Sequence, residues 1–141
     1  MRVRETIQVP RPAPEVYGLL AEPERRPPGT AWSEVVRDGD AYRGTLHASA
    51  GAVRLDFDCR FELVDRREGE SVRLRGMGVS QRLGFTFDGR LAVKESDGGS
   101  AVEVDVDVLP GGALAGLGQR RLREQARRLV ADFVAGTGRQ A

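Results

Sequence analysis

Residues Leu109 to Arg120 read Leu-Pro-Gly-Gly-Ala-Leu-Ala-Gly-Leu-Gly-Gln-Arg, and a helical run continues from them to about Thr137. Apolar residues in this run fall at Ala115, Leu122, Ala126, Leu129 and Phe133, flanked by Leu114, Leu117, Val130 and Val134. Spacings of three and four residues build a stripe broad enough to face a sheet, and Arg120, Arg123, Glu124, Arg127 and Arg128 are left for water. Gly116, Gly118 and Ala126 are small enough to allow close approach to strands, and Gly136 and Gly138 are good terminators. This is the one predicted helix long enough to cover the apolar faces that precede it.

Those faces belong to short strands. Residues 2 to 9 alternate well enough for a first strand, with Val3, Ile7 and Val9 on one side and Glu5 interrupting it. Pro14 in a first turn, Glu15 at its positive end and the apolar Val16, Tyr17, Leu19 and Leu20 predict a short helix. Residues 21 to 30, with Pro23, Pro27, Pro28 and Gly29, read as a second broken turn and a loop. Trp32 to Val36 begins a second strand, and Asp38-Gly39-Asp40 turns into a third over Ala41 to Ser49. After Gly51 comes the clearest pattern, in which Val53, Leu55, Phe57, Cys59, Phe61 and Leu63 alternate with Arg54, Asp56, Asp58, Arg60 and Glu62. A fifth strand spans about Val72 to Val79, with Val72, Leu74 and Gly76 facing in. A sixth carries Leu83, Phe85, Phe87, Leu91 and Val93 on one side, with Gly89 allowing a bend or bulge. Asp97-Gly98-Gly99 turns into a seventh, where Val102, Val104, Val106 and Val108 alternate with Glu103, Asp105 and Asp107. Hairpin-linked strands of this kind imply one antiparallel sheet, wet on one side.

The chain of 141 residues suits one domain over residues 1–141, large enough to bury a core without staples. A single cysteine, Cys59, leaves packing rather than cross-links to hold the fold. There is no charged start followed by an apolar run, and no window near the roughly 18 apolar residues of a membrane span. A soluble, cytoplasmic protein is therefore expected. The formal charge of +1 gives no general pull toward nucleic acid. The arginines from Gly111 onward have no interleaved aromatic residue for base stacking, so a solvated helix face is the reading for them.

The order strand, helix, broken helix, six strands, long helix resembles the helix-grip fold of the START, Bet v 1 and polyketide cyclase (SRPBCC) superfamily. Within it the chain is similar to the CoxG group, which is named for carbon monoxide dehydrogenase. The residues that carry the resemblance are Val9-Pro10, Pro14-Glu15-Val16-Tyr17-Gly18-Leu19-Leu20 and Pro23-Glu24, then Gly51-Ala52-Val53-Arg54-Leu55, then Gly111 to Arg120 with Asp132-Phe133. The resemblance implies an α+β helix-grip domain: a curved seven-stranded antiparallel sheet around a long C-terminal helix, with two short helices between strands 1 and 2. It also implies an accessory role beside an oxidoreductase, and contact with a membrane surface in members that carry a further tail.

Few residues offer catalysis. Nucleophilic chemistry needs a base beside the nucleophile, and metal binding needs clustered donors; one histidine and one cysteine supply neither in the usual way. His47 falls on a polar strand face and Cys59 among apolar neighbours. Neither a dinucleotide fingerprint nor a phosphate loop is present in the glycines from Gly111 to Gly118, which read as a packing device. The carboxylates of Glu103, Asp105 and Asp107 lie on the wet face, with Arg54, Arg60, Arg73 or Arg75 as expected partners. No catalytic residue, metal or cofactor is assigned.

What remains is the apolar interior. Trp32, Tyr42, Phe57, Phe61, Leu74, Phe85, Phe87, Val104 and Val106 on the sheet side face Leu122, Ala126 and Leu129 on the helix, with Arg121 and Gln125 as polar groups at the edge of the stripe. Either these residues fill a solid core, or they line a cavity for a small hydrophobic ligand such as a lipid, a quinone or a polyketide-like molecule. A binding protein without enzymatic activity is the first reading. The alternative is a cyclase, aromatase or dehydratase in which Tyr42, His47 or Arg121 moves protons.

Overall fold

The computed structural model describes residues 1–26, 31–50, 53–81, 83–112 and 118–135. Seven strands form one antiparallel sheet in the order β1-β7-β6-β5-β4-β3-β2. They are β1 (Arg2–Val9), β2 (Val36–Asp38), β3 (Ala41–Ala50), β4 (Val53–Arg67), β5 (Ser71–Ser80), β6 (Leu83–Ser96) and β7 (Gly99–Gly112). Between β1 and β2 run helix α1 (Ala13–Ala21) and a one-turn 3₁₀ helix (Pro23–Arg25), and α2 (Gln119–Ala135) follows β7. Short connections dominate because consecutive antiparallel strands need only a hairpin, and only β1 pairs far along the chain, with β7. Gly39 and Gly98 take the positive φ values (65° and 78°) that their tight turns demand.

The alternation predicted along the chain fixes which side of the sheet is dry. Val3, Val72, Val102, Val104 and Val106 are buried on the inner face. All but Val3 belong to one cluster with Val16, Tyr17 and Leu20 of α1 and Val134 of α2. Each fully buried valine of this kind stabilises the fold by roughly 1.5–3 kcal/mol. Glu5, the interruption in β1, points to the same side and meets Arg127 of α2 at 2.9 Å, so an ion pair ties the helix to the sheet edge.

The structure corrects several sequence expectations. Trp32 makes only an isolated bridge to Leu46, closed by the Ser33 N–H to the Thr45 carbonyl and the His47 N–H to the Ala31 carbonyl; the ladder does not run on, and β2 is three exposed residues starting at Val36. Leu109-Pro110-Gly111-Gly112, read from sequence with the helix, extends β7 and pairs with β6 as far as Gly112 opposite Leu83. Gly118 has open space where a side chain would be, so it is no close-packing point. The remaining residues of that stretch, 113–117, lie outside the described residues, as do 27–30, the Gly51 turn and the end of the helix beyond 135.

The bulge expected at Gly89 is also absent: pairing of β6 is continuous on both sides of it. Gly89 is instead a close-approach residue, since a side-chain carbon there would come within 2.5 Å of the Val106 Cα. The bulge lies in β4, between Leu63 and Asp65. On the wet face the carboxylate partners differ from expectation too. Asp105 pairs with Arg2 and Arg4 of β1, Glu103 with Lys94 of β6, and Asp107 with the N-terminal amine. Arg73 and Arg75 pair with Asp88 and Glu62, and Arg60 reaches Asp38. Register decides this, because β7 lies beside β1 and β6, and β4 and β5 are too far away.

Candidate functional site

Parity and register together assemble an arc of aromatic rings on the inner face. Tyr42 stacks on Phe61 at 5.4 Å, Phe61 lies 6.5 Å from Phe87, Phe87 6.1 Å from Phe85, and Phe85 meets Phe57 edge-on at 5.3 Å. The rings fit because β5 contributes glycine beside them. Gly76 pairs with both Phe61 and Phe87, and Gly78 with both Cys59 and Phe85. A side-chain carbon at Gly76 would stand 2.5 Å from the Phe61 Cβ, and one at Gly78 2.6 Å from the Phe85 ring.

Helix α2 lies over one end of this arc. Leu122, Leu129 and Phe133 pack against the cluster of Trp32, Leu46, Phe57 and Cys59, together with Phe85. Trp32 meets Phe133 edge-on at 5.3 Å. Tyr42 and Phe61 form a neighbouring cluster with Val35, against which Leu63 and Phe87 pack. Of the predicted residues, Trp32, Tyr42, Phe57, Phe61, Val104 and Val106 are buried. Leu74, Phe85, Phe87, Leu122, Gln125, Ala126 and Leu129 are half-buried, and Arg121 is exposed. Val104 and Val106 belong to the valine cluster under α1 and the end of α2 rather than to the aromatic arc. Two surface clefts, of about 320 and 460 Å³, lie at strand ends beside Pro12 and Glu95 and beside Arg54 and Gln81, away from the arc.

Three polar features were not read from the sequence. Arg26, only 2 % exposed, donates from Nε to the Phe133 carbonyl at 3.0 Å and lies 4.5 Å over the Phe133 ring, holding the end of α2 against the segment after α1. The backbone N–H of Ala31 donates to Asp132 Oδ2 at 3.2 Å in the same strap. Arg66 donates from Nη2 to Tyr42 Oη at 3.1 Å. Among the described residues, the buried Tyr17 hydroxyl and Trp32 indole N–H have no hydrogen-bond partner. The adjacent apolar pair Leu63-Val64, which breaks the alternation of β4, was the one available signal for Arg66.

The chemistry offered by the remaining candidates is sparse. His47 Nδ1 lies 2.7 Å from Asp56 Oδ1 across the β3–β4 pair on the wet face, far from the rings by parity. Burial pushes the Cys59 thiol up to about 12, which keeps it protonated and unreactive at neutral pH. Among the described residues no group of three histidine, cysteine or carboxylate side chains could hold a metal ion, and no helix is long and apolar enough to cross a membrane.

Solved structures share this architecture. A conserved protein from Geobacillus kaustophilus superposes with a TM-score of 0.81 at 21 % identity, over 98 % of this chain and 93 % of that one. The ZhuI aromatase/cyclase from Streptomyces sp. R1128 gives 0.60 at 20 % identity, over 98 % and 92 %. Ara h 8.0201 gives 0.62 at 15 % identity, over 98 % and 95 %. At these identities the likeness establishes the helix-grip fold. No curated protein sequence matches the chain. A family model does, over residues 6–141, nearly the whole length, and by it the chain belongs to the carbon monoxide dehydrogenase CoxG family.

Proposed function

We propose that this protein binds and carries a small hydrophobic molecule, of the lipid, quinone or polyketide-like kind, between the aromatic arc and α2, without transforming it. The observation that carries this reading is the incomplete burial of Leu74, Phe85 and Phe87 on the inner face, opposite the equally half-buried Leu122 and Leu129. A solid core would close over such side chains, because interiors pack to the density of organic crystals. Apolar surface that stays accessible on a concave face is what a lipophilic guest covers. The family's name supports service to an oxidoreductase as the setting; the cytoplasm or a membrane surface is the place we propose for it.

The test is native mass spectrometry and thermal melting after incubation with lipid and quinone extracts. A 1:1 adduct and a raised Tm are expected, both lost in Phe87→Trp, which fills the space. Unchanged mass and Tm would remove the reading.

A cyclase-type enzyme is the second reading, and one observation favours it. Arg66 and Tyr42 bring a guanidinium and a phenol together beside the arc, whereas of the other candidates for proton movement His47 is paired with Asp56 on the wet face and Arg121 is exposed. Turnover of a short poly-β-ketone thioester, abolished by Tyr42→Phe, would establish it over simple carriage.

A further inference from the structure

The β4 bulge has a chemical result. Up to Leu63 the odd-numbered residues of β4 face inward, with Leu63 opposite Leu74; beyond it Asp65 pairs with Arg73 and Arg66 with Val72. Inserting Val64 moves inward parity from odd to even positions, so Arg66 joins the face of Val72, which is 1 % exposed. An arginine that regular pairing would send to the wet side is thereby turned to the apolar one.

Two phenols lie near it. Arg66 gives one N–H to Tyr42 Oη, which leaves the Tyr42 O–H to donate elsewhere. Tyr17, 5 % exposed, has a buried hydroxyl with no hydrogen-bond partner. The clusters of Tyr17 and Tyr42 meet at Leu63 and Phe87, which pack against both. Among the described residues no carboxylate forms an ion pair with Arg66. Asp65 is engaged by Arg67 and Arg90, and Glu68 on the following turn is exposed. Burial, then the charge of Glu68 and, more weakly, that of Asp65 raise the Tyr17 pKa, and Arg66 opposes them, so the phenol lies within reach of that guanidinium's field and of both carboxylates. A guanidinium free of ion pairs among the described residues, with two phenols near it, is the complement of an oxyanion, and the half-buried Leu63, Leu74 and Phe87 beside them are the complement of a chain.

The geometry points to Arg66, Tyr42 and Tyr17 as the head-group site of the ligand space, and to a lipophilic carboxylate, such as a fatty acid, as the class of ligand it takes. This rests on the proposed function and specifies it. The shared chemistry is a carboxylate at the end of an apolar chain. The carboxylate enters the Arg66 fork, receives hydrogen bonds from both phenols, and the chain follows the rings toward Leu129.

Isothermal titration with dodecanoate and with 1-dodecanol, which keeps the chain and loses the charge, tests it. Wild type is expected to bind dodecanoate about tenfold or more tightly than the alcohol, the margin of one charge-assisted contact. Arg66→Gln should erase that preference, weakening dodecanoate about tenfold toward the affinity of the alcohol. Because Arg66 is exposed, this variant does not threaten the fold. Tyr17→Phe should weaken dodecanoate binding severalfold and raise the Tm of the ligand-free protein, since it removes a buried hydroxyl without a partner. Equal affinities for acid and alcohol, or a preference that survives Arg66→Gln, would overturn the head-group assignment and leave the carrier reading standing. Binding of neither molecule would overturn both.

Discussion

The glycines of β5 make the most demanding claim about packing, because the structure ranks two chemically identical substitutions. In Gly76→Ala the new methyl would stand 2.5 Å from the Phe61 Cβ and 2.7 Å from its Cα, both tied to the backbone of the neighbouring strand. Relief requires β4 to move, together with Phe61, its stack on Tyr42 and its contact with Phe87. In Gly78→Ala the methyl would stand 2.6 Å from the far tip of the half-buried Phe85 ring and 3.1 Å from the Cys59 sulfur. That ring can turn away. Overpacking typically costs 1–3 kcal/mol, so Gly76→Ala is placed at about 3 kcal/mol or above and Gly78→Ala at about 1 kcal/mol. With an unfolding entropy of about 2.1 cal/mol/K per residue, the 141-residue chain has about 0.3 kcal/mol/K, and the Tm losses are about 10 °C and 3 °C. Urea denaturation can be followed by fluorescence of Trp32, the sole tryptophan. Equal losses, or a Gly76→Ala variant within about 0.5 kcal/mol of wild type, would refute the idea that glycine is required for the rings to meet the sheet.

Other outcomes follow from the same geometry. Arg26→Met should destabilise by about 2–3 kcal/mol, because it removes hydrogen bonds to the carbonyls of Asp132 and Phe133 and the stacked charge over the Phe133 ring; urea midpoints measure it. The Cys59 thiol, pushed up to about 12, should resist an aromatic disulfide reagent at pH 8 in the native state and react once urea unfolds the chain; rapid native reaction would contradict its burial. Asp88 and Asp105 are held below the ordinary carboxylate value of 3.8, first by hydrogen bonds from Arg73 and Arg2 respectively. A depressed folded pKa contributes stability above the unfolded value and loses it as pH falls through the folded one. The gap between wild type and Asp88→Asn should therefore be present at pH 7 and narrow below about pH 4, as urea midpoints at several pH values would show.

The parts of the fold that were readable were those set by period. Val53 to Leu63 alternates without a break, so its dry face was visible, and the same parity put Phe57, Phe61, Phe85 and Phe87 on one side. The three-and-four spacing of Leu122, Ala126, Leu129 and Phe133 likewise announced the helix that covers them. What failed were the places where a neighbour overrules the local pattern. Leu109 to Gly112 looks like a helix approach, yet β6 offers partners as far as Leu83, and the strand continues through Pro110. Trp32 looks like the start of a strand, yet its ring packs on Phe133 and only one bridge forms.

The candidate site was legible to the same degree. Its rings could be found by parity alone. Arg66 could not, because the alternation ends at Leu63 and only the inserted Val64 brings the guanidinium to the inner face. Arg26 looked like one more basic residue in a proline-rich loop, and nothing local says that it reaches the far end of α2, more than a hundred residues away. Pairing choices on the wet face were likewise invisible, since Asp105 finds Arg2 only through the β1–β7 register.

The most direct test of the central claim is a set of intermolecular nuclear Overhauser effects in the protein titrated with dodecanoate. A single bound chain held between sheet and helix gives contacts to the rings of Phe85 and Phe87 and to the methyls of Leu129 at once. Contacts confined to exposed apolar residues of the opposite face, such as Met77, Val79 and Leu109, would contradict it.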